Sequence, residues 1–172
     1  MTRPRHSRLG LRLARAEDAE PLVQFRCSSG PWFEFEVEEY IHRHALRRAL
    51  STPDTYRFLL AIEQDRLVAC AAHHPEALLR EDGTLLLTTR LQLLALAAED
   101  QGRCLADGTR LSDTMMEALI ADAIETRRED VLTAIVAQDN LRSMALCRRH
   151  GLRSEVRYGS RYVRLTGHFT IP

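Results

Sequence analysis

The chain has 172 residues, 45% of them hydrophobic, which suits one well-buried domain spanning residues 1–172 and is short for two. Its 24 Lys/Arg residues balance its 24 Asp/Glu residues, so the net charge predicts no general attraction to nucleic acid or to a membrane surface. All of the basic residues are arginine, which indicates a GC-rich coding bias more than a function.

The hydrophobic periodicity predicts strands and helices along the whole chain. In order, the predicted elements are a strand at 9–14, helices at 17–25 and 34–50, strands at 56–63 and 66–72, a loop at 73–83, a long strand from about 84 to 98, a helix from about 109, a strand at 131–140, a helix at 141–151, and strands at 154–157 and 162–169. A tight turn at Gln64-Asp65 joins the strands before the loop. The pattern by itself indicates a mixed α/β protein.

The four cysteines lie far apart and show no Cys-x-x-Cys spacing, so we expect neither a metal site nor a disulfide framework. No apolar segment follows the basic start, and no apolar run approaches the roughly eighteen residues of a membrane span. These features predict a cytoplasmic protein with no membrane partner.

The stretch from the strand at 91–98 into the following helix has the geometry of a phosphate-binding site. The strand is almost wholly apolar, which is typical of a central strand covered on both faces. The loop after it, residues 99–110, carries two glycines and two arginines and leads into an amphipathic helix. Free backbone N–H groups and the positive end of a helix dipole favour an anion at such a place.

A second buried strand, residues 131–140, ends in Asn140 and is followed at once by a helix that stops at Gly151. Together the two stretches resemble the GNAT family of N-acetyltransferases, whose second motif reads N-x-x-(A/S)-x-x-L-Y-x-x-x-G-F. The residues that match this motif are Asn140, Ser143, Leu146, Gly151 and Leu152. The resemblance implies a mixed α+β, GNAT-like fold, with a central mixed sheet of six to seven strands and about four helices packed on both faces.

The resemblance also implies the activity, which is transfer of an acetyl group from acetyl-CoA, or from another acyl-CoA, to an amine. Acyl-CoA would be the co-substrate, and no metal is implied. The family's loop pattern, Q/R-x-x-G-x-G/A, fits in two registers here, one from Gln101 and one from Arg103. A loop about two residues longer than the family pattern reconciles them, with Gly102 at its start and Gly108 just before the helix.

By this resemblance, several residues would hold the acyl-CoA. The pyrophosphate would contact the backbone amides of Gly102, Arg103, Gly108 and Thr109, and the side chain of Arg103 or Arg110. A backbone N–H between Leu94 and Leu96 would polarise the thioester carbonyl. Asn140, Ser143 and Cys147 follow at spacings of three and four residues, so they line one stripe of a helix that in the family faces the pantetheine arm.

Cys147 stands where the family usually has the tyrosine that protonates the departing CoA thiolate. A thiol with a pKa near 8.5 could take over this role, and Tyr158 and Tyr162 are the alternatives. For the general base, the candidates are His73, next to His74 at the end of a predicted strand, and Glu99, which ends the central strand. Some members of the family use water relays instead.

The nature of the acceptor stays open at this stage. An acceptor pocket is expected beside residues 27–35, with Trp32, Phe33 and Phe35 as candidate walls. The first hypothesis is a small-molecule amine. The second is a macromolecular acceptor such as aminoacyl-tRNA, as in toxin members of the family, which rests on the arginine-rich chain ends. The third is a degenerate member that only binds CoA or a protein partner; a homodimer is expected by analogy alone.

Overall fold

The computed structural model describes residues 9–127 and 129–170, and in it a seven-stranded mixed sheet has the order β1-β2-β3-β4-β5-β7-β6. The strands are β1 (Gly10–Leu13), β2 (Arg57–Glu63), β3 (Arg66–Leu79), β4 (Leu85–Leu96), β5 (Val131–Ala137), β6 (Ser154–Tyr158) and β7 (Tyr162–His168). The helices are α1 (Ala19–Gln24), α2 (Trp32–Tyr40), α3 (Leu46–Ser51), α4 (Leu111–Arg127) and α5 (Leu141–Arg149). The π-helical turn Ile41–Ala45 joins α2 to α3 without a break, so the five helices form four helical segments. The seven strands and four helical segments confirm the predicted six to seven strands and about four helices.

Most of the predicted elements form because each strand alternates its side chains between two packed faces. The β2–β3 hairpin turns at Gln64 and Asp65, whose φ angles of 51° and 61° match the predicted tight turn. Ala71 and Leu91 face a core under α4 and α5, while Cys70 and Leu93 face a second core under α1, α2 and α3. Strands β2, β3 and β4 are therefore covered on both faces.

The predicted loop at 73–83 is wrong. Residues His73–Leu79 continue β3 and pair with Leu85–Leu91 of β4, so only the few residues around Gly83 form the turn. The polar residues His73, His74 and Glu76 suggested a loop, but they alternate between the two faces and find partners there. The end of this hairpin extends past its neighbouring strands, and it leaves Leu79 74% exposed.

One pair of strands fixes the position of the functional site. β4 and β5 are the parallel pair of the sheet, and they are joined only where Thr89–Leu91 lies beside Leu132–Ala134. Beyond Leu91 the two strands diverge. At the same place Ala72 lies opposite Leu93 and His73 lies opposite Leu91, so Gln92 is an extra residue in β4 that bends the strand as a bulge.

No helix in the described part of the chain is both long enough and apolar enough to cross a membrane.

Candidate functional site

A cavity with a volume of about 150 Å³ lies where β4 and β5 diverge. Its walls come from β4, β5, the sheet-facing side of α5, two residues of α4, the first turns of α2 and the start of β7. Most of the lining is apolar, with Leu91, Leu93 and Val136 among its side chains. The sheet therefore contains an apolar slot between two strands whose backbones are no longer paired with each other.

The edge of β4 that faces this slot carries backbone N–H groups with no backbone partner in the described part of the chain. The N–H of Ala97 donates to Val68 O at 2.9 Å, so it points toward β3. Because successive residues of a strand point their N–H groups to opposite sides, the N–H groups of Leu94 and Leu96 point toward β5. The pairing with β5 stops at Leu91, so these two predicted residues lie along the open side of the slot.

The predicted stripe of Asn140, Ser143 and Cys147 forms one wall of the cavity. Asn140 is the N-cap of α5, and its side-chain oxygen accepts a hydrogen bond from the N–H of Ser143 at 3.0 Å. This bond satisfies one of the free donors at the helix start and fixes the helix beside the slot. The helical spacing therefore brought these three residues together as the sequence predicts.

Cys147 is 3% exposed, and burial raises the pKa of its thiol to about 11. The thiol is consequently protonated throughout the neutral pH range. Its pKa lies above that of an ordinary thiol, about 8.5, and close to that of a tyrosine, about 10. Cys147 thus places a protonated thiol in the cavity lining, but this thiol is a weaker acid than the sequence suggested.

Tyr162 at the start of β7 brings a second proton donor to the same cavity. Its hydroxyl donates to Glu36 Oε2 at 2.7 Å, and burial together with this carboxylate raises the pKa of Tyr162. The ring of Trp32 meets the ring of Tyr162 edge to face, with centroids 5.8 Å apart, and the guanidinium of Arg161 lies 3.6 Å from the centre of the Trp32 ring. Helix α2 and strand β7 therefore contact each other beside the cavity.

Glu36 is the site residue that sequence reasoning missed. It stands among Glu34, Glu38 and Glu39 in the first turns of a helix, where acidic residues are explained by the helix dipole. Phe33, a predicted pocket wall, lines the cavity, whereas the more exposed Phe35 does not. No spacing in the sequence links α2 to β7, so nothing distinguished Glu36 from its neighbours.

The glycine loop is closed on itself. Residues 103–111 form a small hairpin in which Cys104 bridges to Arg110. The N–H of Arg103 donates to Asp100 O, the N–H of Gly108 donates to Leu105 O, and the N–H of Thr109 donates to the Asp107 carboxylate, at 2.9 to 3.1 Å. In this conformation, three of the four predicted amide donors for a pyrophosphate are therefore already satisfied within the loop.

Charged side chains hold this loop to the body of the protein. The buried carboxylate of Asp100 accepts from Arg66 and Arg103, each at 2.6 Å. Burial works to raise the pKa of Asp100, but these two guanidinium groups outweigh it and hold the pKa below its usual value. Glu99 lies at the surface in an ion pair with Arg66 at 2.8 Å, and Gln101 donates to Cys27 O at 2.8 Å.

Arg103 is therefore engaged with protein carboxylates, Asp100 and Glu63. Arg110 is exposed, and its backbone carbonyl accepts from the N–H groups of Asp113 and Thr114 at the start of α4. Gly102 adopts a φ of +78°, a conformation that favours glycine, with open space around it.

The two predicted bases do not line the cavity. His73 is fully buried on the α4 side of the sheet, where its Nε2 lies 2.7 Å from Asp122 Oδ2. Asp122 also accepts two hydrogen bonds of 2.7 Å from Arg57. Burial lowers the pKa of His73, although the hydrogen bond to Asp122 opposes this effect. His73 lies in a buried polar cluster and Glu99 lies at the surface, so neither reaches the slot.

In the described parts of the chain, no group of three or more His, Cys, Asp and Glu side chains is arranged to hold a metal ion. The alternative acid Tyr158 is 41% exposed on β6 and stacks under the guanidinium of Arg164. The slot, with Cys147 on one wall and the Tyr162–Glu36 pair on the other, is thus the place where proton donors and a carboxylate meet.

No protein-family model and no curated protein matches the sequence. Solved structures do match. A GNAT-family acetyltransferase from Desulfovibrio desulfuricans has a TM-score of 0.60 at 16% identity, over 96% of this chain and 100% of that one. The PaiA N-acetyltransferase from Thermoplasma acidophilum, in complex with coenzyme A, has a TM-score of 0.68 at 15% identity, over 94% and 99%.

A variant of the AtaT toxin, bound to acetyl-CoA and to the C-terminus of the antitoxin AtaR, has a TM-score of 0.63 at 13% identity, over 93% of this chain and 92% of that one. These likenesses cover nearly the whole length of each chain. The protein therefore has the fold of the GNAT N-acetyltransferases, as the sequence predicted.

Proposed function

We propose that the protein is an N-acyltransferase that moves an acetyl group, or another acyl group, from acyl-CoA to the amine of a small acceptor. The observation that carries this proposal is the slot between β4 and β5, with free backbone donors on one side and the Asn140–Ser143–Cys147 stripe on the other. A narrow apolar channel with backbone donors on its edge suits a flexible chain that contains amides and ends in a thioester.

The residues of the slot fit the acyl arm of this co-substrate, and those of the loop fit its phosphates in part. The N–H groups of Leu94 and Leu96 would contact the arm and polarise the acyl carbonyl. Among the described residues, the Gly102 amide and the Arg110 guanidinium have no hydrogen-bond partner, so they are available to an anion. Engaging Arg103, Gly108 and Thr109 would require the small hairpin of the loop to open.

The reaction replaces one bond at the acyl carbon and moves one proton. The C–S bond of the thioester breaks, a C–N bond to the acceptor forms, the acceptor nitrogen loses a proton and the CoA sulfur gains one. The bound acyl-CoA supplies the activated thioester. The chain holds the two reactants in line, and backbone N–H groups stabilise charge that develops on the carbonyl oxygen.

The proton-handling residues are proposed from their positions. Cys147 is the proposed acid for the leaving sulfur, and Tyr162 is the alternative because it lines the same cavity. Glu36 is the proposed base or ammonium partner, since its carboxylate faces the cavity beside Tyr162. His73 is a less suitable base than its sequence position suggested, because it is fully buried against Asp122 and does not line the cavity.

A small acceptor is favoured over a macromolecule by the size of the cavity, about 150 Å³, and by the contacts that Tyr162 makes beside it with Trp32 and Glu36. Two of the arginines near the end of the chain, on which the RNA hypothesis rested, form ion pairs within the protein: Arg148 with Glu155, and Arg149 with Asp113. Of the N-terminal arginines, the first three lie outside the described residues, and Arg12 pairs with Asp18.

The test is release of free CoA thiol from acetyl-CoA in the presence of a panel of amines. If Cys147 is the acid, Cys147→Ala lowers turnover by about tenfold or more and leaves the affinity for acetyl-CoA nearly unchanged. Cys70→Ala, at a cysteine that is also buried but lies outside the cavity lining, is the matched control and keeps wild-type turnover. Unchanged turnover in Cys147→Ala together with a loss in Tyr162→Phe would move the acid to Tyr162. Absence of both acetyl-CoA binding and thiol release would refute the function.

A further inference from the structure

Two arginines lie beside the slot on one face of the sheet. Leu91, Ala134 and Leu165 all point into the core under α4 and α5. Their neighbours in sequence, Arg90, Thr133 and Arg164, therefore point to the opposite face. In the strand register Arg90 lies beside Thr133 on β5, and on the other side of β5 Arg164 lies beside Ile135.

This part of the face is not covered by a helical core. The apolar core under α1, α2 and α3 contains residues of β2, β3 and β4 but, among the described residues, none of β5, β6 or β7. The uncovered face is continuous with the cavity, because Gln92, Ile135 and Tyr162 line the cavity. Gln92 is two residues beyond Arg90, and Tyr162 is two residues before Arg164.

The guanidinium groups of Arg90 and Arg164 have N–H groups that find no acceptor among the described residues. Within the residues that the structure describes, Arg90 reaches one carboxylate, Glu76, at 3.5 Å, and Glu76 also accepts a hydrogen bond of 3.0 Å from Thr133. Arg164 has no carboxylate partner among the described residues, and its guanidinium lies 4.8 Å from the centre of the Tyr158 ring. The Nε atoms of both arginines are buried without a hydrogen-bond partner. In the described part of the chain, the two guanidinium groups therefore have one carboxylate partner between them, Glu76.

Both side chains are half-buried: the Nε groups are closed to a ligand, and the terminal N–H groups of each guanidinium fork are the ones that can bind an anion. Arginine is suited to the task because its fork of N–H groups matches a carboxylate. We propose that the acceptor is an amine that also carries a carboxylate, with the carboxylate bound by Arg164 and Arg90 and the amine placed in the cavity beside Glu36. This proposal rests on the acyltransfer function proposed above.

The spacing narrows the class of acceptor. Along β7, two residues span roughly 6.6 Å, which is the backbone offset between Arg164 and the cavity-lining Tyr162. An ω-amino carboxylate with several carbons between its two groups fits this offset better than an α-amino acid. Glu36 and the arginines would then hold the two ends of a zwitterion.

The experiment uses two readouts on the full chain. The first is acetyl-CoA thiol release with glycine, 4-aminobutyrate and 6-aminohexanoate, each compared with its carboxamide. The second needs no turnover: calorimetric binding of the acetylated products, such as 4-acetamidobutyrate against 4-acetamidobutyramide. Variants are Arg164→Gln and Arg90→Gln, with Arg157→Gln as the control. Arg157 is exposed on β6 and lies opposite Val163, on the other face.

The wild-type protein and Arg157→Gln should prefer the acid over the amide by about tenfold or more in affinity or in kcat/KM, since charge-assisted bonds are lost with the amide. Arg164→Gln should raise KM for the acid and leave kcat and KM for the amide nearly unchanged. Equal binding of acid and amide by the wild-type protein would overturn the proposal, and so would a preference that survives both substitutions. Acid-selective product binding without any thiol release would support the carboxylate site while contradicting the acyltransfer function.

Discussion

The substitution Asp122→Asn tests the buried polar cluster that Asp122 forms with Arg57 and His73. Asp122 on α4 accepts two hydrogen bonds of 2.7 Å from Arg57 and lies 2.7 Å from His73 Nε2. The side chains of Arg57 and Asp122 are only 23% and 17% exposed. Removing one partner of a buried ion pair costs about 3–5 kcal/mol, because the other charge is left without compensation.

We expect a loss near the lower end of that range, about 3 kcal/mol, because water reaches part of the Arg57 side chain. For a chain of this length such a loss lowers Tm by roughly 6–12 °C. The assay is urea unfolding at neutral pH, with a melting scan beside it. Glu39→Gln is the control: it makes the same change at an exposed pair with Arg43, and should cost less than about 1 kcal/mol. A loss in Asp122→Asn no larger than in Glu39→Gln would refute the account of this cluster.

Two further predictions concern His73 and Asn140. Burial places the pKa of folded His73 below the unfolded value of about 6.5, so below that pH the unfolded chain binds more protons and stability falls as the pH drops. His73→Gln should flatten this part of the stability-versus-pH curve measured by urea unfolding, and an unchanged curve would contradict the buried neutral imidazole. Asn140→Ala should cost about 1 kcal/mol by loss of the α5 cap, measured the same way; no change in stability would argue that Asn140 is free for the co-substrate alone.

Local pattern was enough to predict most of the fold and the common face of Asn140, Ser143 and Cys147, which lines the cavity. Asn140, Ser143 and Cys147 are neighbours on a helix, so their spacing fixes their common face without any tertiary information. Leu94 and Leu96 were predicted as donors from their position late in the central strand, and the divergence from β5 leaves their N–H groups unpaired. These features depend on short stretches of sequence and on the alternation within one strand.

The other wall depends on contacts between distant segments. Glu36 and Tyr162 meet 126 residues apart in sequence, through the packing of α2 against β7, and no periodicity records that contact. The predicted strand stops just before His73, whereas the structure continues it, because the partner Asp122, 49 residues later on a helix, makes burial of His73 tolerable. The closed hairpin of the glycine loop was missed for a similar reason, since its acidic anchor Asp100 is satisfied by Arg66 from another strand.

The measurement that tests the central claim most directly is calorimetric titration of the full chain with acetyl-CoA, accompanied by a melting scan. Binding with one site per chain is predicted, and at about a hundred times the dissociation constant the ligand should stabilise the fold by roughly 2.7 kcal/mol. This corresponds to a rise in Tm of about 5–10 °C. Absence of binding heat together with an unchanged Tm would contradict the claim that the slot between β4 and β5 is an acyl-CoA site.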